Sequence, residues 1–178
     1  MTFRLATGKD LDGIMAMVGR IIARPGTAWD DEYPLREHFE TTLKDGGLYV
    51  AEDEGRIVGT VGIDPAEDIF ADLPCWTPAK KPGEGVRFGI DPDYQGKHLA
   101  IPFMTWSIND AAARLGYDWF RFTAAKENVR ANDVYTYLGL SRVGETNWIE
   151  TDWWCYETKL PMLVDPKTQK LKAAAENK

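Results

Sequence analysis

The chain predicts a layered α+β (α/β layered) domain of about seven strands flanked by about four helices. Three observations predict it. Strand-like runs alternate with helical patterns from Phe3 to Leu160. Leu11, Ile14, Met15, Val18, Ile21 and Ile22 recur at helical spacing, one apolar face of a helix. The stretch Gly85–Gly139 reads as strand, phosphate-sized loop, helix, strand, helix. Backbone N–H groups at a helix start attract phosphate, so that unit suits an anionic, extended ligand.

Phe3-Arg4-Leu5-Ala6 opens as a short strand, and Asp10 starts the first helix as an N-cap or first-turn acid. Arg24-Pro25-Gly26 ends that helix. A loop follows with Trp29, the acids Asp30, Asp31 and Glu32, and Tyr33. Leu35, Phe39 and Leu43 share one face of a second helix, which Asp45-Gly46-Gly47 stops. Leu48–Ala51 and Arg56–Ile63 read as a hairpin. Asp64–Gly83 carries Pro65, Pro74, Pro78 and Pro82 and reads as an irregular surface segment. Val86–Ile90 is apolar except for Arg87, as a buried central strand would be.

The third helix starts near Leu99, because Pro102 fits only in a first turn. Its inner face is Ile101, Met104, Ile108, Ala111, Ala112 and Leu115. Phe120 and Phe122 alternate with Arg121 and Thr123 in the next strand. Asn128 caps a helix that Gly139 ends. Ser141–Leu160 reads as two long strands rich in aromatics, including Trp148, Trp153, Trp154 and Tyr156. Residues 1–160 therefore form one domain, and 161–178 a polar tail of little functional weight.

With 178 residues the chain can bury one full core. No run approaches the roughly 18 apolar residues of a membrane span, and the N-terminus lacks a secretory pattern. Cys75 and Cys155 are far apart in sequence and lack metal-ligand spacing, so they read as reduced thiols of a cytoplasmic protein, with no metal site expected. Acids outnumber bases 28 to 21, a net charge of −7, which argues against nucleic acid as a partner. A few local donors still suffice for a phosphate-bearing ligand.

Two motifs carry a resemblance. One is Gln95-Gly96-Lys97-His98-Leu99-Ala100, preceded by Asp91-Pro92-Asp93-Tyr94. The other is Asn128, Ala131, Tyr135 and Leu138-Gly139-Leu140. In that order, separated by a helix and a strand, they resemble the GNAT superfamily of acyl-CoA-dependent N-acyltransferases, over essentially the whole of Phe3–Leu160. The resemblance implies a central mixed, mostly antiparallel sheet. It also implies a single departure: His98 stands where the family's loop has its central glycine. That histidine is a tolerated substitution, an added phosphate donor, or a sign of a weakened site.

The resemblance implies acetyl-CoA as cosubstrate. The strand before the loop (Phe88, Gly89, Ile90) would pair with the pantetheine amides. Gln95, Gly96, Lys97, His98, Leu99 and Ala100 would hold the pyrophosphate. Asn128 would bond the pantetheine arm or simply cap its helix. Tyr135 is either the acid that protonates the leaving thiolate or a core tyrosine. Glu84 is a candidate general base or a solvated loop acid. Trp29, Glu32 and Tyr33 suit a cationic amine. Arg87 suits a substrate carboxylate or an ion pair across the sheet. The leading reading is acetyl transfer to a primary amine of a small molecule or peptide. The alternative is a non-catalytic acyl-CoA-binding or sensing module. A homodimer is left open, and Trp153 would serve a reading as an interaction surface.

Overall fold

The structure is a computed structural model and describes residues 1–165 and 167–172. Its strands are β1 (Thr2–Leu5), β2 (Leu48–Asp53), β3 (Arg56–Pro65), β4 (Pro82–Ile90), β5 (Trp119–Ala125), β6 (Ser141–Trp148) and β7 (Thr151–Lys159). Its helices are α1 (Leu11–Ile22), α2 (Arg36–Lys44), α3 (Ala100–Leu115) and α4 (Val129–Leu138). All seven strands form one sheet in the order β1-β2-β3-β4-β5-β7-β6. Neighbours are antiparallel except β4 and β5, which are parallel. The layered, mixed sheet expected from the sequence is the one observed.

Period-two alternation assigns the two faces of the sheet. Leu48 and Val50 of β2 pack with Ile14, Met17 and Phe39 of α1 and α2. Their neighbours Tyr49 and Ala51 pack with Phe103 and Ile108 of α3 and Leu138 of α4. Both faces are covered, so the strand reads as continuously apolar. The caps expected of α4 are present, whereas Asp10 stands at the N-cap of α1 without a side-chain cap bond. The Asn128 side chain accepts from the Ala131 N–H at 3.3 Å, and Gly139 closes α4 with φ 88°.

β4 begins at Pro82, four residues before the expected Val86. The missed residues, Pro82-Gly83-Glu84-Gly85, look like a loop in sequence. Aromatic rings press on them here: Tyr117 lies against Gly83 and Phe120 against Gly85, so no side chain fits. The register of β3 on β4 slips between Thr60 and Gly62, and Arg87 at φ 50° is the bulged residue. Pairing between β4 and β5 is brief. It runs from Pro82↔Trp119 to Glu84↔Arg121 and stops. β5 stays paired with β7 from Trp119 to Ala125. The two central strands therefore diverge from a vertex at Glu84 and Arg121.

The β3–β4 segment folds over the sheet rather than into solvent. Trp76 donates its indole N–H to the Phe70 carbonyl at 2.7 Å, and the Thr77 N–H and hydroxyl bond Glu157 of β7. Phe70 packs on Trp153, ring centroids 5.8 Å apart, so that tryptophan is half-buried. Cys75 fills the space above Gly144, the cross-strand partner of Cys155. Two cysteines remote in sequence thus become neighbours.

The expected polar tail docks as well. Met162 is buried, and its N–H and C=O bond the Asn109 side chain at 2.7 and 2.9 Å. The Leu171 N–H reaches the Leu138 carbonyl at 2.7 Å. Sparse apolar residues, Met162, Val164 and Leu171, do the docking and leave no periodic signal. Residues 166 and 173–178 of that tail lie outside the described residues.

A buried acid fixes the end of β4. The Asp91 side chain is fully buried; its carboxylate accepts from Arg20 Nε at 2.7 Å, Arg56 Nη2 at 2.9 Å and the Asp93 N–H at 3.0 Å. Both arginines are half-exposed and rehydrate when the acid is lost. Asp91→Ala is therefore expected to cost about 2 kcal/mol, the worth of its charge-assisted hydrogen bonds. Urea unfolding checks it, and a loss below about 0.5 kcal/mol would show that the acid does not hold this corner.

Candidate active site

Where β4 and β5 diverge, a cleft of about 640 Å³ lies between the end of β4 and α4, the helix that follows β5. Beyond Glu84, one edge of β4 has no strand partner. Unpaired backbone groups on such an edge accept an added strand or an extended ligand. Phe88, Gly89 and Ile90 line the cleft from this edge, and Asn128, Ala131 and Tyr135 of α4 line the other side. Gln95, Gly96, His98, Leu99 and Ala100 close its outer end.

The outer loop is built for an anion. Asp91 accepts the Asp93 N–H and starts a tight turn, Pro92–Tyr94. Among the described residues, the N–H groups from Gly96 to Ala100 make no hydrogen bond. They precede α3, whose dipole adds positive potential. Gly96 has φ 75° and His98 φ 59°. His98 thus takes up the left-handed backbone that glycine normally supplies, a conformation in which histidine is enriched among non-glycine residues. Its side chain is exposed, so the cradle stays open.

Two expected loop ligands behave differently. The Gln95 side chain braces the loop, donating to the Ile90 carbonyl at 3.0 Å and accepting from Arg130 Nη1 at 2.7 Å. Lys97 does not line the cleft; its Nζ lies 4.6 Å from the centre of the Tyr94 ring. Only its backbone N–H remains available to a ligand. The positive side chains at the cleft are instead Arg24 and Arg130. Sequence reasoning missed both, since Arg24 reads as part of a helix stop and Arg130 as a generic residue inside the Asn128–Ala131 motif.

Tyr135 is 8% exposed, and its hydroxyl makes no hydrogen bond among the described residues. Its ring stands edge-on to Phe122 at 4.5 Å and tilts against Tyr156 at 5.4 Å. Burial, then the neighbouring Tyr156, raises its pKa. The group stays protonated and is a donor without an acceptor, facing a cavity. The helix that carries it is fixed by Asn132, which accepts from the Tyr156 hydroxyl at 2.8 Å and donates to the Ala125 carbonyl at 2.9 Å.

Glu84 lies at the vertex, outside the large cleft. It borders a cavity of about 10 Å³, one water in size, together with Asp68, Trp76, Arg121 and Thr123. Burial, then the charge of Asp68, pushes its carboxyl up to about 9. A base must be ionised to accept a proton, and this carboxyl is neutral at pH 7 in the free protein.

The remaining substrate candidates separate. Trp29 lines the cleft, and the six-membered ring of its indole packs against Gly89. Glu32 and Tyr33 do not line it. Their N–H groups bond the Asp30 carboxylate at 2.8 and 2.9 Å, and the Tyr33 ring packs on His38. Arg87 turns away toward α2 and forms an ion pair with Asp64 at 2.8 Å beside Thr42. It is the cross-sheet ion pair rather than a free carboxylate receptor. Among the described residues no group of His, Cys, Asp and Glu could hold a metal ion, and no helix is long and apolar enough to cross a membrane.

The model of the acetyltransferase (GNAT) family matches residues 16–140. A comparison with curated proteins finds no match. Among solved structures, a GNAT-family acetyltransferase from Streptococcus agalactiae aligns with TM-score 0.70 at 19% identity, covering 89% of this chain and 94% of that one. A ribosomal-protein-alanine N-acetyltransferase from Brucella melitensis aligns with TM-score 0.68 at 17% identity, covering 90% and 100%. A chimaeric spermidine N-acetyltransferase from Vibrio cholerae and hSSAT aligns with TM-score 0.64 at 18% identity, covering 89% and 94%. At these identities the likeness is one of fold.

The neutral state of Glu84 has a stability signature. Its pKa in the fold lies above the ordinary 4.5, so the native state binds the extra proton. The stability it contributes is complete below about 4.5 and is lost as pH rises toward 9. Glu84→Gln cannot ionise and is spared that loss. Thermal melts from about pH 5 to about pH 9 are expected to show the variant gaining Tm steadily on the parent. Parallel curves would mean the carboxyl is not held neutral.

Proposed function

The chain belongs to the acetyltransferase (GNAT) family, and from that premise we propose that it transfers an acetyl group from acetyl-CoA to a primary amine of a small molecule or peptide, by direct attack within a ternary complex. One observation carries the reading. Among the described residues, the cleft between β4 and α4 has unpartnered loop N–H groups at one end and, further in, the unpartnered hydroxyl of the buried Tyr135. A ligand with phosphates, an amide-bearing arm and a terminal thioester matches those groups in kind. Two similar structures are named for action on spermidine and on a ribosomal-protein alanine, both amines.

Acetyl-CoA supplies the activated acyl group when bound. The residues of the chain do the rest. Gly96–Ala100 and the first turn of α3 receive the phosphates, assisted by Arg24 and Arg130. The free edge of Phe88–Ile90 and the Asn128 amide orient the pantetheine arm. The Tyr135 hydroxyl gives its proton to the departing sulfur. Glu84, once it has lost its own proton to solvent, takes a proton from the ammonium through the single water its cavity admits. An approaching ammonium favours the ionised carboxylate and lowers the Glu84 pKa toward the working range.

Acetyl-CoA is expected to raise Tm by mass action at ligand concentrations well above Kd, and no shift at millimolar ligand sinks the reading. Tyr135→Phe is expected to lower thiol release on an amine panel by about 100-fold or more, with CoA affinity held within about threefold. Equal losses in turnover and affinity would make Tyr135 a packing residue. Binding without thiol release on any amine, in parent and variant alike, would favour the non-catalytic module. The ratio kcat/KM, which reports the free protein, is also expected to climb with pH toward the Glu84 value of about 9, and Glu84→Gln to flatten that limb.

A further inference from the structure

The wall that Trp29 builds has no role in binding phosphates, the pantetheine arm or the leaving sulfur. β4 runs from the vertex at Glu84 outward to the phosphate loop, so Phe88 and Gly89 are the cleft-lining residues of β4 nearest the vertex. With phosphates at the loop and the sulfur at Tyr135, any acyl chain extends past the sulfur into this inner region. Trp29 occupies its α1–α2 side. A Cβ at position 89 would collide with the six-membered ring of Trp29 and lie 3.1 Å from Ile21 Cδ1. Gly89 is therefore a strand position emptied to admit an indole.

The loop that carries the indole is held in place. The Trp29 backbone N–H bonds Thr27 Oγ1 at 3.1 Å, and the Asp30 N–H bonds the Tyr33 carbonyl at 2.9 Å. The Asp30 carboxylate closes the turn on the Glu32 and Tyr33 N–H groups. The wall is apolar. Among the described residues the only acid lining the cleft is Asp133, on α4, and the loop acids Asp31 and Glu32 do not line it. Such a surface suits alkyl carbons better than an ammonium group.

We infer that Trp29 sets the acyl-chain length of the thioester: its indole fills the space that carbons beyond an acetyl or propionyl group would occupy. Trp29 is a specificity-determining residue for the donor rather than part of the amine site. The inference rests on the acyl-CoA reading of the cleft, and its test separates the two.

Parent, Trp29→Ala and Trp29→Phe are titrated calorimetrically with acetyl-CoA and octanoyl-CoA, and thiol release is followed with a fixed amine. The parent is expected to bind acetyl-CoA and to discriminate against octanoyl-CoA. Trp29→Ala is expected to shift the affinity ratio toward octanoyl-CoA by at least about tenfold, the scale of a few methylenes in an apolar pocket. Trp29→Phe is expected to fall between, and decides the matter if the alanine variant does not fold. An unchanged ratio in a folded variant overturns the inference. So does a rise in amine KM with the acyl preference intact, which would return Trp29 to the amine site. Failure of the parent to bind either thioester removes the acyl-CoA reading itself, and this inference with it.

Discussion

The short pairing of β4 with β5 is the constraint on which the rest of the molecule depends. A parallel pair that continued past Glu84↔Arg121 would seal the sheet and leave no cleft. One feature stops it. The bulge at Arg87 re-aims β4, and the Arg87 side chain is drawn toward α2 by Asp64 and Thr42. β5 runs on, paired along its other edge with β7. The exposed edge then carries backbone donors and acceptors that need water or a ligand. The cleft is thus a consequence of sheet register, and the helices and loops decorate it.

An acidic chain must still receive a polyanion in the proposed reaction. Net charge −7 is unfavourable at long range. The structure meets this locally by tying up the acids nearest the phosphate loop. Asp91 is held by Arg20 and Arg56, and Asp93 by Arg56 at 2.9 Å and Arg24 at 3.6 Å. The loop's own N–H groups and Arg130 then present positive potential with few opposing free carboxylates beside them. Backbone donors also need no side-chain ordering, so His98 in the glycine position is tolerated as long as its φ is.

The elements with strong periodicity were legible in the sequence. α1, α3 and α4 follow from apolar spacing and Pro102, and the caps of α4 from Asn128 and Gly139. Most of the residues that line the cleft from β4, the loop and α4 were legible because two motifs fix them by spacing along a strand, a loop and a helix. What was not legible depends on contacts between distant segments. Pro82–Gly85 hid as loop because ring packing by Tyr117 and Phe120, rather than local propensity, makes it a strand. The docking of residues 161–165 and 167–172 rests on a few apolar residues and backbone bonds. The loop acids after Trp29 suggested an amine receptor. Asp30 instead caps its own turn, and Glu32 and Tyr33 stay outside the cleft. Charge near an aromatic in sequence says nothing about which way a turn faces.

The protonation states at the vertex complete the physical picture. Both titratable groups proposed for the chemistry are pushed upward by burial, Glu84 to about 9 and Tyr135 above its ordinary value. Each therefore rests in its neutral form, which avoids an uncompensated buried charge. For Tyr135 neutrality is the working state, since an acid must hold its proton until the sulfur departs. For Glu84 it is a resting state, and only a positive charge nearby makes the carboxylate favourable. The two groups differ in what relieves them: a departing anion for the tyrosine, an arriving cation for the carboxyl. Amine acyl transfer brings in a cation and releases an anion, so a site neutral at rest is matched to both.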